Sequence, residues 1–200
     1  KSTREPLQPS ELIVVDGREE KAGDLERALR VGRVGAEAVN LARDLCNEPA
    51  NVLTPTAFAE RARALFEGTS ASVEVLNEEQ LRALGMGALL AVASGSREPV
   101  RLVRVSWQNS KNGPQLAFVG KGITFDSGGI SIKPSSGMEK MKYDMAGAAA
   151  ALAASWAVVS LGLPLNVIAI MPLTENLPGG AAYRPGDVLK TMAGKAVEVV

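Results

Sequence analysis

The chain has 200 residues, 46% apolar and 22% charged, enough to bury a core and far from the composition of a disordered segment. Lys+Arg and Asp+Glu each number 22, so zero net charge gives no electrostatic case for nucleic acid or an anionic membrane. There is no His and one Cys, which excludes Ser-His-Asp and Cys-His catalysis, His-ligated zinc, CxxC metal sites and a disulfide scaffold. Any chemistry falls to carboxylates, lysines and backbone groups. No signal-like segment opens the sequence, and the Ala-rich stretch near 145–163 comes closest to a membrane-length apolar run. A reducing, cytoplasmic setting without a membrane is the expectation.

Lys1–Gln8 is polar, is followed by Pro9 and reads as a linker. Residues 20–46 read as a long amphipathic helix, with Leu25, Leu29, Val34, Val39, Leu41 and Leu45 near a 3.6-residue period. Asn47-Glu48-Pro49-Ala50-Asn51 breaks it, with Glu48 and Asn51 expected to fix the turn. Thr54-Pro55 is a helix-start signal for a helix to about Phe66. Val73–Leu76 reads as a short strand, and Asn77 as the cap of a helix that Gly85 ends. Residues 100–107 predict a strand, and Asn112-Gly113-Pro114 a turn. Gln115–Val119 is apolar and predicts a central strand.

A glycine- and charge-rich loop is expected over 120–144, then a helix over Ala146–Leu161. Leu165–Met171 predicts a strand parallel to 115–119 through that helical crossover. Pro172–Pro185 reads as a long loop, with Val188 and Ala196–Val200 as the next strands. The alternation predicts an α/β domain: three layers, α/β/α, around a mixed, mostly parallel central sheet. Cys46, Trp107 and Trp156 read as core residues, and Arg184 with Asp187 as a pair ordering a loop rather than as catalytic groups.

The chemistry concentrates between an apolar strand and a helix. The run Val119-Gly120-Lys121-Gly122-Ile123-Thr124-Phe125-Asp126-Ser127-Gly128-Gly129 continues to Lys133 and then to Asp144. Ligand sites of open α/β sheets lie at such carboxyl ends of strands. Converging carboxylates in a partly buried site call for a cation, either a metal or a lysine, and Lys121 and Lys133 offer both. A lysine beside a divalent metal can lose its proton and ligate, while a protonated one can stabilise an oxyanion. The same residues also admit plainer readings. A loop Asp is commonly a turn residue, and Asp144 could simply cap the following helix. Neither the phosphate-loop spacing nor GxSxG is present.

The run VGKGITFDSGGISIK at 119–133, with Met138, Met141 and Asp144-Met145-Ala146-Gly147, resembles the leucine (cytosol) aminopeptidase family, peptidase family M17. So do Asn47–Pro55, Pro172–Asn176 and Tyr183–Val188. The resemblance covers about residues 20–200 and implies a metal-dependent exopeptidase. It would release Leu-like apolar N-terminal residues from peptides through water activated by two divalent ions, Mn2+ or Zn2+. By resemblance, Lys121, Asp126 and Asp144 are metal ligands, and Asp144 belongs to the more loosely held ion that also receives the substrate amine. Lys133 is the catalytic lysine that polarises the scissile carbonyl, and Met141 walls the pocket for the first side chain. All five residues are expected to contact substrate.

The family's Asp-, Glu- and Arg-bearing motif follows a strand like Lys195–Val200 and lies outside these residues. On that reading 1–19 is a linker from an N-terminal domain, and 20–200 is a linker helix with the first part of the catalytic domain. Alone, such a piece is expected to bind metal weakly, to lack useful activity and to leave a buried sheet edge unpaired at 196–200. The resemblance also implies a cytoplasmic homo-hexamer when full length. The alternative is a non-catalytic or DNA-binding structural member; zero net charge disfavours DNA binding, and the presence of Lys121, Asp126, Lys133 and Asp144 disfavours a non-catalytic member.

Overall fold

The computed structural model describes residues 11–15, 17 and 22–200. The linker read at Lys1–Gln8 lies outside them, as does most of the 1–19 segment.

The chain opens with helices α1 (Ala22–Asn47) and α2 (Pro55–Leu65). The break between them is held by Glu48, whose carboxylate takes both guanidinium nitrogens of Arg61, Nη2 to Oε2 at 2.7 Å. Asn51, expected to share in fixing the turn, is exposed. Thr54 caps α2, its Oγ1 accepting from the Ala57 N–H at 3.2 Å, with Pro55 in the first turn where a missing N–H costs nothing. Strand β1 (Ser72–Leu76) follows, then α3 (Glu78–Ala83), opened by a reciprocal capping box between Asn77 and Gln80 and closed near Gly85 at φ +71°. A further helix, α4 (Gly87–Ala93), has no counterpart in the sequence reading, because its apolar run is too short for helical periodicity to show.

Strand β2 (Arg101–Gln108) pairs antiparallel with β1 and with β5 (Asn166–Asn176), which runs down the middle of the sheet. Strands β3 (Gln115–Val119) and β4 (Gly122–Asp126) both pair parallel with β5, end to end along its other side. The sheet is therefore five-stranded and mixed. Gln115–Val119 was expected to be central, but among the described residues it lies at the sheet edge, with Val119 75% exposed. Its apolar content misled because that edge is not covered by anything in these residues.

The expected loop over 120–144 instead contains β4 and a 3-10 turn at Met138–Tyr143. The loop expected from Pro172 is also corrected, since β5 continues to Asn176. Proline reads as a strand breaker, but the Gly120 N–H bonds Ile170 O at 3.0 Å, so position 172 turns its backbone to the same side. That side is the junction between β3 and β4, where a missing N–H breaks no ladder bond.

Helix α5 (Ala146–Leu161) forms the crossover between β4 and β5, as its position between two parallel strands requires. It has the length and apolar content of a membrane span only when the preceding turn is included, and Ala148, Ala149, Ala151 and Leu152 are buried in the core. Val103 and Val105 of β2 and Ala169, Met171 and Leu173 of β5 pack with α1, α2 and α5. The alternate residues Leu102 and Ile170 meet Leu81 of α3 and Leu89 and Leu90 of α4. Helices thus cover both faces, and the three-layer α/β/α architecture follows from this alternation.

Trp107 is buried, and Cys46 and Trp156 are partly buried against the core. Burial pushes the Cys46 thiol above its ordinary value, which suits a packing residue and not a nucleophile. Strands β6 (Val188–Lys190) and β7 (Ala196–Glu198) form a separate antiparallel hairpin. The expectation of a buried, unpaired sheet edge at 196–200 is corrected: β7 is exposed and already paired with β6. Asp187 accepts from the Arg184 N–H at 2.9 Å and its carboxylate meets the guanidinium at 3.2 Å, ordering the loop before β6.

Candidate active site

The site is built where β3 ends, β4 runs and α5 begins. Gly120 and Gly147 let two backbones touch there. A Cβ on Gly120 would stand 2.6 Å from Gly147 C and 2.7 Å from Ala148 Cα, so no side chain fits. The Ala148 N–H donates to Lys121 O at 2.8 Å, tying the first turn of α5 to the strand junction. Lys121 and Asp144 meet as a result: Lys121 Nζ lies 2.7 Å from Asp144 Oδ2. The side chains are 58% and 22% exposed respectively.

Asp144 could have been a helix cap, yet no side chain caps α5. Its Oδ2 is buried and makes no hydrogen bond; its partner is the Lys121 ammonium, met as an ion pair.

Asp126 ends β4 and its side chain is only 12% exposed. Burial alone would push its carboxyl up. Donation from Lys133 Nζ, the Gly128 N–H and Asn176 Nδ2, with the Lys133 charge, outweighs burial and holds it below the usual carboxylate range. Lys133 Nζ is 2.5 Å from Asp126 Oδ2, and it also donates to Asp126 O at 3.2 Å and Met141 Sδ at 3.4 Å. Lys133 reaches back because the intervening chain is folded tightly. Gly128 and Gly129 adopt φ +92° and +70°, and the Lys133 N–H bonds Ser127 O at 2.9 Å.

The two halves are linked. The Asp144 N–H donates to Met141 O at 3.3 Å, and Asp144 O accepts from the Ile123 N–H of β4 at 3.2 Å. All five residues singled out in the sequence (Lys121, Asp126, Lys133, Met141 and Asp144) therefore lie in one chain of contacts.

Among the described residues no three Asp, Glu, Cys or His side chains converge. The donors here are two carboxylates and an amine. They suit a hard divalent cation: a buried, hydrogen-bond-free carboxylate oxygen on Asp144, a second ionised carboxylate on Asp126, and Lys121 in contact with the first. A cleft of about 840 Å3 between the 94–98 and 177–181 loops contains none of these five residues. Sequence reading assigned no role to Asn176 and Gly128, which donate to Asp126 Oδ1 at 2.8 and 2.9 Å. For Asn176 the sequence carried no more than a polar residue at the end of an apolar run; its place opposite Asp126 is a matter of the β4–β5 register.

Residues 40–200 match the catalytic domain of the cytosol aminopeptidase family. A protein of Nitrosospira multiformis named "Probable cytosol aminopeptidase" is 46% identical over 183 residues, which are 91% of this chain and 35% of that protein. A protein of Solibacter usitatus with the same name is 50% identical over 184 residues, 90% of this chain and 38% of that protein.

Among solved structures, the bottromycin maturation enzyme BotP in complex with Mn has a TM-score of 0.82 at 46% identity, over 86% of this chain and 38% of that one. The cytosol aminopeptidase of Coxiella burnetii has a TM-score of 0.80 at 34% identity, over 84% of this chain and 36% of that one. The chain spans 35% to 40% of the length of these curated relatives.

Proposed function

Because the chain belongs to the cytosol aminopeptidase family, we propose that its full-length polypeptide is a metal-dependent aminopeptidase, releasing Leu-like N-terminal residues from peptides. The observation that carries this reading is the pair of lysine–carboxylate contacts, Lys121 with Asp144 and Lys133 with Asp126, joined through Met141. A structural ion pair on a surface loop would not need one buried and one half-buried carboxylate at a single strand–helix junction.

In this reading Lys121, Asp126 and Asp144 hold two divalent ions, Mn2+ or Zn2+, together with ligands from beyond residue 200. When bound, the ions supply Lewis-acid activation of the attacking water and of the scissile carbonyl. The chain's own residues do the rest. Lys133 brings a fixed positive charge to the carbonyl oxygen where negative charge develops. Its ammonium turns to the substrate once the Asp126 oxygen is otherwise engaged. Met141, flexible and polarizable, lines the space for the first side chain. Asp144 would be a ligand of the more loosely held ion, the one that also receives the free amine of the substrate. Residues 1–19 would be a linker from an N-terminal domain, and the assembled protein is a cytoplasmic homo-hexamer acting on peptides.

The test is hydrolysis of a leucyl peptide by the full-length protein, beside the same peptide with its amine acetylated. An aminopeptidase cleaves the first and spares the second. Equal cleavage of both, or cleavage at internal bonds, would remove the reading. Native mass on the same sample gives the subunit count.

A further inference from the structure

Asn176 ends β5 and is the register partner of Asp126. It is 7% exposed, and its Nδ2 donates to Asp126 Oδ1 at 2.8 Å. An ionised carboxylate only accepts, so the amide nitrogen must face Asp126 and the amide oxygen must face away. That oxygen is buried and has no hydrogen-bond partner.

The surroundings are shaped to this amide. A Cβ on Gly129, which sits at φ +70°, would lie 2.7 Å from Asn176 Oδ1. The backbone of Asn176 is engaged separately, its carbonyl accepting from the Ser127 N–H at 3.0 Å and the Ser127 hydroxyl at 2.8 Å.

We propose that Asn176 is a positioning residue for Asp126: with the Gly128 N–H it occupies Oδ1, which leaves Oδ2, the oxygen that carries the Lys133 ammonium in this structure, as the one to be turned to a metal cation. This rests on the reading of Asp126 as a metal ligand. Packing does not account for the side chain. A residue kept only for packing would be apolar, because a buried amide with an unpaired oxygen is costly. Strapping the 126–129 turn to β5 does not account for it either. The Ser127 bonds end on the main chain, which any residue at 176 supplies. What the side chain adds is one charge-assisted bond to a carboxylate oxygen, and such outer bonds orient ligands.

The test uses the full-length protein and Mn2+ alone, titrated by electron paramagnetic resonance, with melting of the metal-free proteins measured alongside. Asn176→Ala removes the donor, and Asn176→Leu removes it while keeping the branched outline. Thr174→Ala is the control: a buried β5 side chain that does not touch Asp126.

The expected result is Mn2+ affinity lower by about 10–100-fold in both Asn176 variants and changed by less than about two-fold in Thr174→Ala. Asn176→Leu should melt with the control. Mn2+ binding by Asn176→Leu within about two-fold of the parent overturns the inference. So does an equal loss in Thr174→Ala, or failure of both Asn176 variants to fold, since either assigns the residue to structure alone. Asp126→Asn separates the underlying reading. If it binds Mn2+ like the parent, Asp126 is not a ligand and that reading falls first.

Discussion

Lys133 Nζ rests 2.5 Å from Asp126 Oδ2 and 3.4 Å from Met141 Sδ, so the charge proposed to act on substrate is already held at the site. Among the described residues its one ionic partner is Asp126, and the lysine side chain is 35% exposed. Lys133→Ala in the full-length protein should lower kcat by about 10²–10³-fold, the size of losing one oxyanion-stabilising donor. Mn2+ binding should survive. A drop in Mn2+ affinity matching the drop in kcat would place Lys133 in metal binding instead.

The crossing of Gly120 and Gly147 makes a second prediction. Gly120→Ala puts a methyl into the backbone of α5's first turn and should cost about 1–3 kcal/mol, the usual range for overpacking. Urea denaturation measures it. Because the same contact brings Lys121 to Asp144, metal affinity should fall as well. Gly68→Ala, where no atom lies within 4 Å but φ is +74°, is the companion control: it strains the backbone away from the site and should leave metal affinity unchanged.

The Glu48–Arg61 pair holds the break between α1 and α2 from partly exposed positions, 28% and 41% exposed. Solvent screening limits its worth. Glu48→Ala should destabilise by about 0.5–1 kcal/mol. A double-mutant cycle with Arg61→Ala isolates the pair; a coupling indistinguishable from zero would leave the turn to the Thr54 cap.

Asp187 supplies a pH prediction. The Arg184 N–H and side chain hold its carboxyl below the usual range. The charged form is the one favoured in the fold. Its contribution is therefore present above the ordinary value of about 3.9 and is lost as pH falls through the lower folded value. A carboxyl-carbon NMR titration should place the Asp187 midpoint below that of a model peptide, and Arg184→Ala should bring it only part of the way back, because the backbone N–H of residue 184 still donates.

Much of this was legible in the residues, for reasons that differ by element. Thr54-Pro55 and Asn77 announced their helices because capping is local chemistry. The Ala146–Leu161 crossover was legible because parallel strands demand one. The edge position of β3 was not, because an apolar strand reads alike whether covered or bare. Pro172 hid half of β5, since whether a missing N–H matters depends on what lies opposite. At the site, Lys121, Asp126, Lys133 and Asp144 stood out through residue type in a glycine-rich setting. Asn176 did not, because its role depends on a register between β4 and β5 that only the folded sheet displays.

The most direct test of a metal-dependent aminopeptidase is peptide hydrolysis by the full-length protein before chelation, after it, and after Mn2+ is returned, run beside Asp126→Asn and Asp144→Asn. Release of N-terminal leucine should stop in chelator and resume with Mn2+, with little resumption in either variant. Hydrolysis that persists in chelator, or variants that recover like the parent, would contradict the proposed role of these carboxylates.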